Sequence, residues 1–223
     1  MVHMPDKVFA HREDYLNETL VFLTLERGEL EPEYWFDFGY QVDENLYFYR
    51  HNVAVEYGIT EHWMIDARTT FENVRGRELH FQSGRVESRY RFADEGTNAI
   101  DIAVSGEINS ERMEDGSQVY GIEPRLILSK DVDELNLTLN FAEEIRLNGS
   151  EASFNPSFAL RYNATGLLRF GSELKYSTDD RRGAFIPQLC FALPNDVTIK
   201  GGISLGFDLN QEKFGRVALE VGV

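Results

Sequence analysis

The sequence predicts an all-β protein, a transmembrane antiparallel up-and-down β-barrel of about twelve strands, preceded by a short helical or irregular segment. Three observations predict it. Apolar and polar residues alternate with a period of two in repeated segments. The apolar face is almost free of charge in the strand middles and carries its aromatics near the strand ends. The opposite face is crowded with acids and bases in nearly equal number. We therefore divide the chain into residues 1–29, a periplasmic arm or plug, and residues 30–223, the barrel.

Composition narrows the function classes before any motif is considered. The chain has 223 residues and a net charge of −16, which disfavours nucleic acid because phosphate binding needs a basic face. A helix that spans a membrane needs about 18 consecutive apolar residues, and no window of this sequence comes near that length. The single cysteine, Cys190, has no partner for a disulfide or a cysteine-based metal site. The chain is therefore expected to be one β domain without a cofactor or a metal.

The strand signal begins near residue 33 and repeats to the end of the chain. In EYWFDFGYQV, Tyr34, Phe36 and Phe38 share one face, and Asp37 and Gln41 share the other. Eleven comparable segments follow it, so the sequence predicts twelve strands. The parity slips once, near Gly84, where we expect a β-bulge.

The turns differ in character between the two ends of the predicted hairpins. Those at 59–61, 94–97, 131–134, 163–166 and 194–196 are compact. Those near 73–78, 111–117, 148–151, 178–183 and 209–213 are mostly longer and more charged. An even strand count with short turns at one end and longer loops at the other is typical of outer-membrane barrels, with both termini in the periplasm.

The two faces have different expected surroundings. Aromatic residues near strand ends predict two girdles at the water–lipid interfaces. On the polar face acids and bases balance, so most of the net negative charge lies in turns, loops and the N-terminal segment. We predict that this face lines a polar lumen, and its candidate residues are Arg50, Glu56, Asp66, Arg68, Arg89, Arg91, Glu107, Glu123, Arg125, Arg161, Arg169, Glu173, Lys175 and Lys200.

The segment before the barrel fits a period of two poorly. Leu16, Leu20 and Leu23 fall at helical spacing, with acids early and Arg27 late, which favours a short helix. A periplasmic arm, a plug inside the barrel and an extra strand through LVFLTL all stay open. The start, MVHMPDKVFAHRED, has no basic stretch followed by an apolar one, so we expect no signal peptide in this chain.

Several stretches resemble bacterial outer-membrane β-barrel proteins of transporter-like, uncharacterised groups: VAVEYGITEHWMIDART, ESRYRFAD, LRYNATGLLRFGSELKY and DVTIKGGISLGFDL. The resemblance covers nearly the whole chain after residue 30, and its motifs are generic. It implies a location in the bacterial outer membrane, contact with lipid and lipopolysaccharide, and passage of small solutes. It supplies no binding residue and no oligomeric state.

Three functions follow from these observations. The leading one is a channel or transporter-like barrel for small solutes, not an enzyme. The second is a closed structural or adhesion barrel that acts through acidic extracellular loops, because paired long side chains can also block a lumen. The third is an outer-membrane hydrolase acting on lipid or lipopolysaccharide, for which His80 is the one histidine placed to act as a base and would need a neighbouring serine or acid.

Overall fold

A computed structural model describes residues 19–42, 45–74, 78–113, 115–149, 152–178, 181–207 and 213–222. Residues 1–18, most of the predicted arm or plug, lie outside the described residues. The described chain forms twelve strands and confirms the all-β prediction. They are β1 (Leu30–Gln41), β2 (Leu46–Thr60), β3 (Trp63–Val74), β4 (His80–Arg91), β5 (Asp101–Arg112), β6 (Gln118–Val132), β7 (Leu135–Arg146), β8 (Ala152–Asn163), β9 (Leu168–Ser177), β10 (Arg182–Leu193), β11 (Val197–Gly206) and β12 (Lys213–Val221).

The strands close into one antiparallel up-and-down barrel. Each strand pairs with its neighbours in sequence, and β1 pairs with β12 to complete the ring. At this seam Asp37 lies opposite Arg216 and Trp35 lies opposite Ala218. No helix among the described residues is long and apolar enough to cross a membrane.

The two ends of the barrel are named here by what they carry. The terminal end holds the start of β1, the end of β12 and the connections 61–62, 92–100, 133–134, 164–167 and 194–196. The opposite end holds the connections 42–45, 75–79, 113–117, 147–151, 178–181 and 207–212. The predicted turn at 94–97 is present, since Thr97 N–H donates to the Asp94 carbonyl at 3.2 Å, but it lies within a longer connection from 92 to 100 because β5 begins only at Asp101. That carboxylate accepts hydrogen bonds from the Gly96 backbone N–H at 3.1 Å and holds the longer loop in place.

The outward face is apolar and carries aromatics toward both ends. Val53, Val104 and Leu139 lie in its middle and are exposed. Outward aromatics near the terminal end are Tyr34, Tyr57, Trp63, Tyr90, Phe92, Tyr162, Phe170 and Phe191, and those near the opposite end include Phe38, Tyr47, Tyr49, Tyr120, Phe154, Tyr176, Phe185 and Phe207. A broad apolar belt between two aromatic girdles is the exterior of a transmembrane β-barrel.

The predicted bulge is present close to its expected place. Thr70 pairs with Ser83 and Phe71 pairs with Phe81, so Gln82 is the extra residue on β4. This shift keeps Arg85, Glu87 and Arg89 on the inward face. The register between β3 and β4 therefore depends on a single inserted residue.

Candidate functional site in the barrel interior

The inward face is polar, and all the candidate residues lie on it. Ten are buried, namely Glu56, Asp66, Arg68, Arg89, Glu107, Arg125, Arg161, Arg169, Glu173 and Lys200. Four are partly buried, namely Arg50, Arg91, Glu123 and Lys175. That they line a conducting passage stays a prediction.

The strand register brings six carboxylates into one continuous row. Each lies directly opposite the next across neighbouring strands, in the order Glu31, Glu56, Asp66, Glu87, Glu107 and Glu123. We name this row the carboxylate ladder. Directly opposed side chains have Cβ atoms about 5 Å apart, and like charges at that position are destabilising. Such a row therefore needs cations beside it.

The ladder also climbs the wall of the barrel. Glu31 is the second residue of β1, next to the terminal end, whereas Glu123 is the sixth residue of β6 counted from the opposite end. Strands in closed barrels are tilted against the axis, so a row that follows the hydrogen bonds rises as it crosses them. The ladder therefore extends from near one end of the lumen toward the other.

Arginines flank the ladder on both sides. Arg89 donates from Nε and Nη2 to Glu87 Oε1 at 3.2 Å, and Arg125 pairs with Glu123. On the other side Arg85 Nη1 lies 3.3 Å from Glu107 Oε2. Charge-assisted pairs of this kind offset the repulsion along the row. Glu56 differs, because it makes no hydrogen bond or ion pair within the described part of the chain.

A second row, around the seam, alternates arginines with carboxylates instead and ends at a histidine. Arg216, Asp37, Arg50, Glu72 and His80 lie opposite one another in that order. Arg216 donates to both oxygens of Asp37, at 2.5 and 2.7 Å, and Arg50 Nε donates to Glu72 Oε1 at 2.8 Å. Each charge in this row thus has an opposite neighbour.

Trp35 links the two rows through its indole ring. The Arg68 guanidinium carbon lies 3.4 Å from the ring centroid and that of Arg216 lies 4.5 Å from it. Arg68 Nη2 also donates to Glu33 at 2.6 Å and to Asp66 at 3.4 Å. Stacking on an indole and bonding to carboxylates fixes the arginine side chain in place.

Residues 19–29 enter the barrel from the terminal end. Gly28 N–H donates to the Gly58 carbonyl at 2.8 Å, and Gly58 N–H donates to the Glu29 carbonyl at 3.0 Å. Further in, Arg89 Nη1 donates to the Leu23 carbonyl at 3.1 Å. Asn140 accepts from Leu20 N–H at 2.7 Å and donates to the Leu20 carbonyl at 2.9 Å. We name residues 19–25 the inner segment.

Residues 19–29 are irregular, which is one of the two predicted forms of this segment, and the helix favoured by the leucine spacing is not formed there. The physical reason is that wall residues bond backbone groups of this stretch that a helix would have paired internally. Its apolar side chains also find partners on two sides, since Phe22 packs on Ala103 and Ile127 whereas Val21 packs on Ala159.

The wall beside the inner segment carries small side chains, which leave room for it. Ala103 and Ala159 contact its apolar residues, and Ser157 bonds the Thr19 hydroxyl at 3.0 Å. Val21, Phe22 and Leu25 are at most 3% exposed. The inner segment therefore fills the lumen on this side at mid-height and below.

Cavities lie above the inner segment, toward the opposite end. One of about 370 Å³ is bordered by Arg125, Lys175 and Arg182. Another, of about 380 Å³, is bordered by Arg50, Glu72 and His80. A third, of about 290 Å³, adjoins the second and reaches down to Trp35 and Arg68. The lumen thus has solute-sized polar space above and a filled zone below.

His80 lies inside the barrel near the opposite end. Its Nδ1 lies 3.2 Å from the Glu78 carbonyl oxygen, and the opposed Glu72 is bonded to Arg50. Within the described ranges no serine or carboxylate is hydrogen-bonded to His80. The arrangement that the hydrolase hypothesis requires is therefore not formed there.

Sequence reasoning missed several interior residues. Glu31, Glu33 and Trp35 are inward on β1 because the strand begins at Leu30, and extending the parity of Asp37 backwards would have found them. Arg85 was missed because the parity slip was predicted at the neighbouring Gly84, whereas the extra residue is Gln82. Asn140 is inward by the alternation of β7, but no sequence signal marks it as the partner of Leu20.

The sequence matches no protein-family model and no curated protein. Solved structures do match. The KdgM porin gives a TM-score of 0.64 at 10% identity, over 86% of this chain and 98% of that chain. The COG4313 outer membrane channel from Pseudomonas putida F1 gives 0.60 at 9% identity, over 91% and 98%. The NanC porin gives 0.59 at 13% identity, over 85% and 98%. The chain thus shares the fold of bacterial outer-membrane β-barrel channels.

Proposed function

We propose that this protein is a bacterial outer-membrane channel for small polar solutes, and that its inner segment restricts passage. The observation that carries the proposal is the combination of an apolar belt outside, a charge-lined lumen inside and solute-sized cavities at the opposite end. The fold shared with porins supports it.

The orientation follows from the ends of the barrel. Outer-membrane barrels place both termini in the periplasm, so the terminal end faces the periplasm and the cavities open outward. A solute from outside would enter the cavities beside Lys175 and Arg182 or beside Arg50 and Glu72. It would then meet the inner segment at mid-lumen.

The charge pattern supports selection for polar solutes carrying both donors and acceptors. The cavity that reaches Trp35 is bordered by charges of both signs and by neutral polar groups, namely Arg50, Arg68, Arg85, Arg216, Asp37, Glu111, Asn52, Thr70, Gln82 and Ser83. The KdgM porin has been solved in complex with disordered oligogalacturonate, an acidic sugar polymer. In the present lumen acids and bases are interspersed, which favours neutral or zwitterionic solutes over a strongly anionic polymer.

Planar-bilayer conductance tests the proposal. We expect the full chain to give small or rare current steps, and a variant lacking residues 1–25 to give large, discrete ones, because the filled zone is emptied. Circular dichroism and heat-modifiable gel mobility establish that the truncated barrel is folded. A folded truncation without steps over a wide voltage range would contradict the channel and favour a closed structural barrel.

A further inference from the structure

We propose that Glu33, Glu56 and Asp66 form a binding site for one divalent cation of the Ca²⁺ class, between strands β1, β2 and β3. One carboxylate oxygen from each residue lies within 4.8 Å of the others, and all three residues are buried. Ca²⁺ binds carboxylate oxygens at about 2.3–2.6 Å, so an ion at the centre of this group reaches all three after small side-chain shifts.

Two carboxylates of this group have oxygens without donors, which is the independent observation in its favour. Asp66 is 4% exposed, and its Oδ1 is buried with no hydrogen-bond donor among the described atoms. Glu56 is 8% exposed and makes no hydrogen bond or ion pair within the described ranges. Burying a carboxylate oxygen without a hydrogen-bond donor is costly, so Asp66 Oδ1 and the neighbouring Glu56 carboxylate favour a bound cation.

The protein's own cations satisfy the group only in part. Arg68 bonds Glu33 and Asp66 through a single nitrogen, Nη2. Arg85 Nε is 4.0 Å from Asp66 Oδ1, and the same guanidinium is paired with Glu107 at 3.3 Å. The strand register makes the shortage worse, because Glu56 has Glu31 opposite it on one side and Asp66 on the other.

The chemistry of the donors selects the ion. All the donors are carboxylate oxygens, which hard cations such as Ca²⁺ prefer, and no histidine or cysteine belongs to the group. The bound ion would join the first three strands near the level where Gly58, two residues after Glu56, is hydrogen-bonded to Gly28 and Glu29. Cation binding at this site does not depend on conductance, so a test that contradicts the site leaves the proposed channel untouched, and the reverse also holds.

Calcium titration of the full chain, refolded in detergent and freed of metal with a chelator, tests the site. We expect isothermal titration calorimetry to show one Ca²⁺ per chain, and Glu56→Gln and Asp66→Asn each to weaken it at least tenfold. Glu123→Gln is the matched control, since Glu123 belongs to the same ladder but pairs with Arg125, and it should leave the affinity unchanged. No binding to the full chain, or equal binding by all variants, would overturn the site.

A luminescence measurement places the ion without changing a ligand. Tb³⁺ replaces Ca²⁺ and is excited through nearby tryptophan, and the chain has only two, Trp35 and Trp63. Trp35 adjoins the site through Arg68, whereas Trp63 is on the outward face. We expect Trp35→Phe to abolish calcium-competable Tb³⁺ emission and Trp63→Phe to preserve it. The reverse result would place the ion elsewhere and refute the site.

Discussion

The backbone carbonyl of Glu26 lies against the α-carbon of Gly58, so close that a Cβ on Gly58 would fall 1.9 Å from the Glu26 oxygen. Both residues stand where the N-terminal segment turns into the barrel. We predict that Gly58→Ala displaces this segment and increases single-channel conductance, because backbone on either side must move apart. Gly106→Ala is the control, since a Cβ there meets nothing within 4 Å. Equal conductance in the two variants would show that the segment does not restrict passage.

The Asn140 side chain holds the inner segment at mid-lumen, through two hydrogen bonds to Leu20. We predict that Asn140→Ala frees the Leu20 amide and accelerates its hydrogen exchange at least about tenfold, since local opening controls exchange. Asn155→Ala serves for comparison, because that side chain bonds Ser153 on its own strand. If the Leu20 amide stays as protected as in the parent chain, Asn140 does not hold the inner segment in place.

The loss of stability caused by a charged residue on the outward face should depend on how deep that residue lies in the membrane. Val104 lies within β5, three residues from its start, and Ile100 precedes the strand at the terminal end; both are exposed. We expect Val104→Arg to lower the free energy of unfolding by about 2–4 kcal/mol and Ile100→Arg by about 0–1 kcal/mol. Denaturant unfolding from lipid vesicles measures both. Equal small costs would contradict a lipid-facing position for Val104.

The ion pair at the seam gives a stability prediction. Asp37 is 1% exposed, so Arg216→Met deprives a buried carboxylate of the guanidinium that bonds both its oxygens and should cost about 3–5 kcal/mol. The double variant Asp37→Leu with Arg216→Met should recover most of that loss, because neither charge then remains buried. Denaturant unfolding curves give the free energy of unfolding of the two variants. A double variant as unstable as Arg216→Met would show that the loss of stability comes from packing and not from the buried charge.

The connection between β5 and β6 contains a group whose titration can be followed. The Ser117 backbone N–H donates to Asp115 Oδ1 at 2.8 Å, and the Ser117 hydrogen bonds lower the pKa of the exposed Asp115 carboxyl below its ordinary value. At a pH above the ordinary aspartate pKa, the ionised Asp115 carboxylate therefore stabilises the hydrogen-bonded turn. This stabilisation is lost as the pH falls through the lowered pKa of Asp115. Carboxyl carbon shifts should show Ser117→Ala raising the pKa toward its ordinary value, while Ser110→Ala leaves it unchanged.

Alternation along the chain was enough to predict the barrel. Segments such as EYWFDFGYQV predict a face for each side chain, and twelve of them with turns predict the strand number that the structure confirms. The bulge near Gly84 was predictable because a parity slip shows directly in the sequence. The start of β5 was harder to predict. The Asp101 carboxylate fixes the preceding loop by accepting a hydrogen bond from Gly96 N–H, and an alternating pattern does not indicate such a bond.

The arrangement of the interior was much harder to predict. Parity places Glu56 and Asp66 inside, but only the register makes them direct neighbours. The carboxylate ladder is therefore a property of pairing rather than of any one strand. The conformation of the inner segment could not be predicted for a similar reason, because it is set by Asn140 and Arg89, which are distant in sequence.

The seam between β1 and β12 constrains the order in which the molecule can be assembled. Eleven of the strand pairings join neighbours in sequence, whereas Arg216 and Asp37 are 179 residues apart. An incomplete sheet would expose two unpaired edges, so closure must come last and needs protection until then. Because the inner segment is enclosed by the finished wall, we expect it to be seated while the sheet is still open. Folding of the wall and loading of its lumen would then be one coupled event.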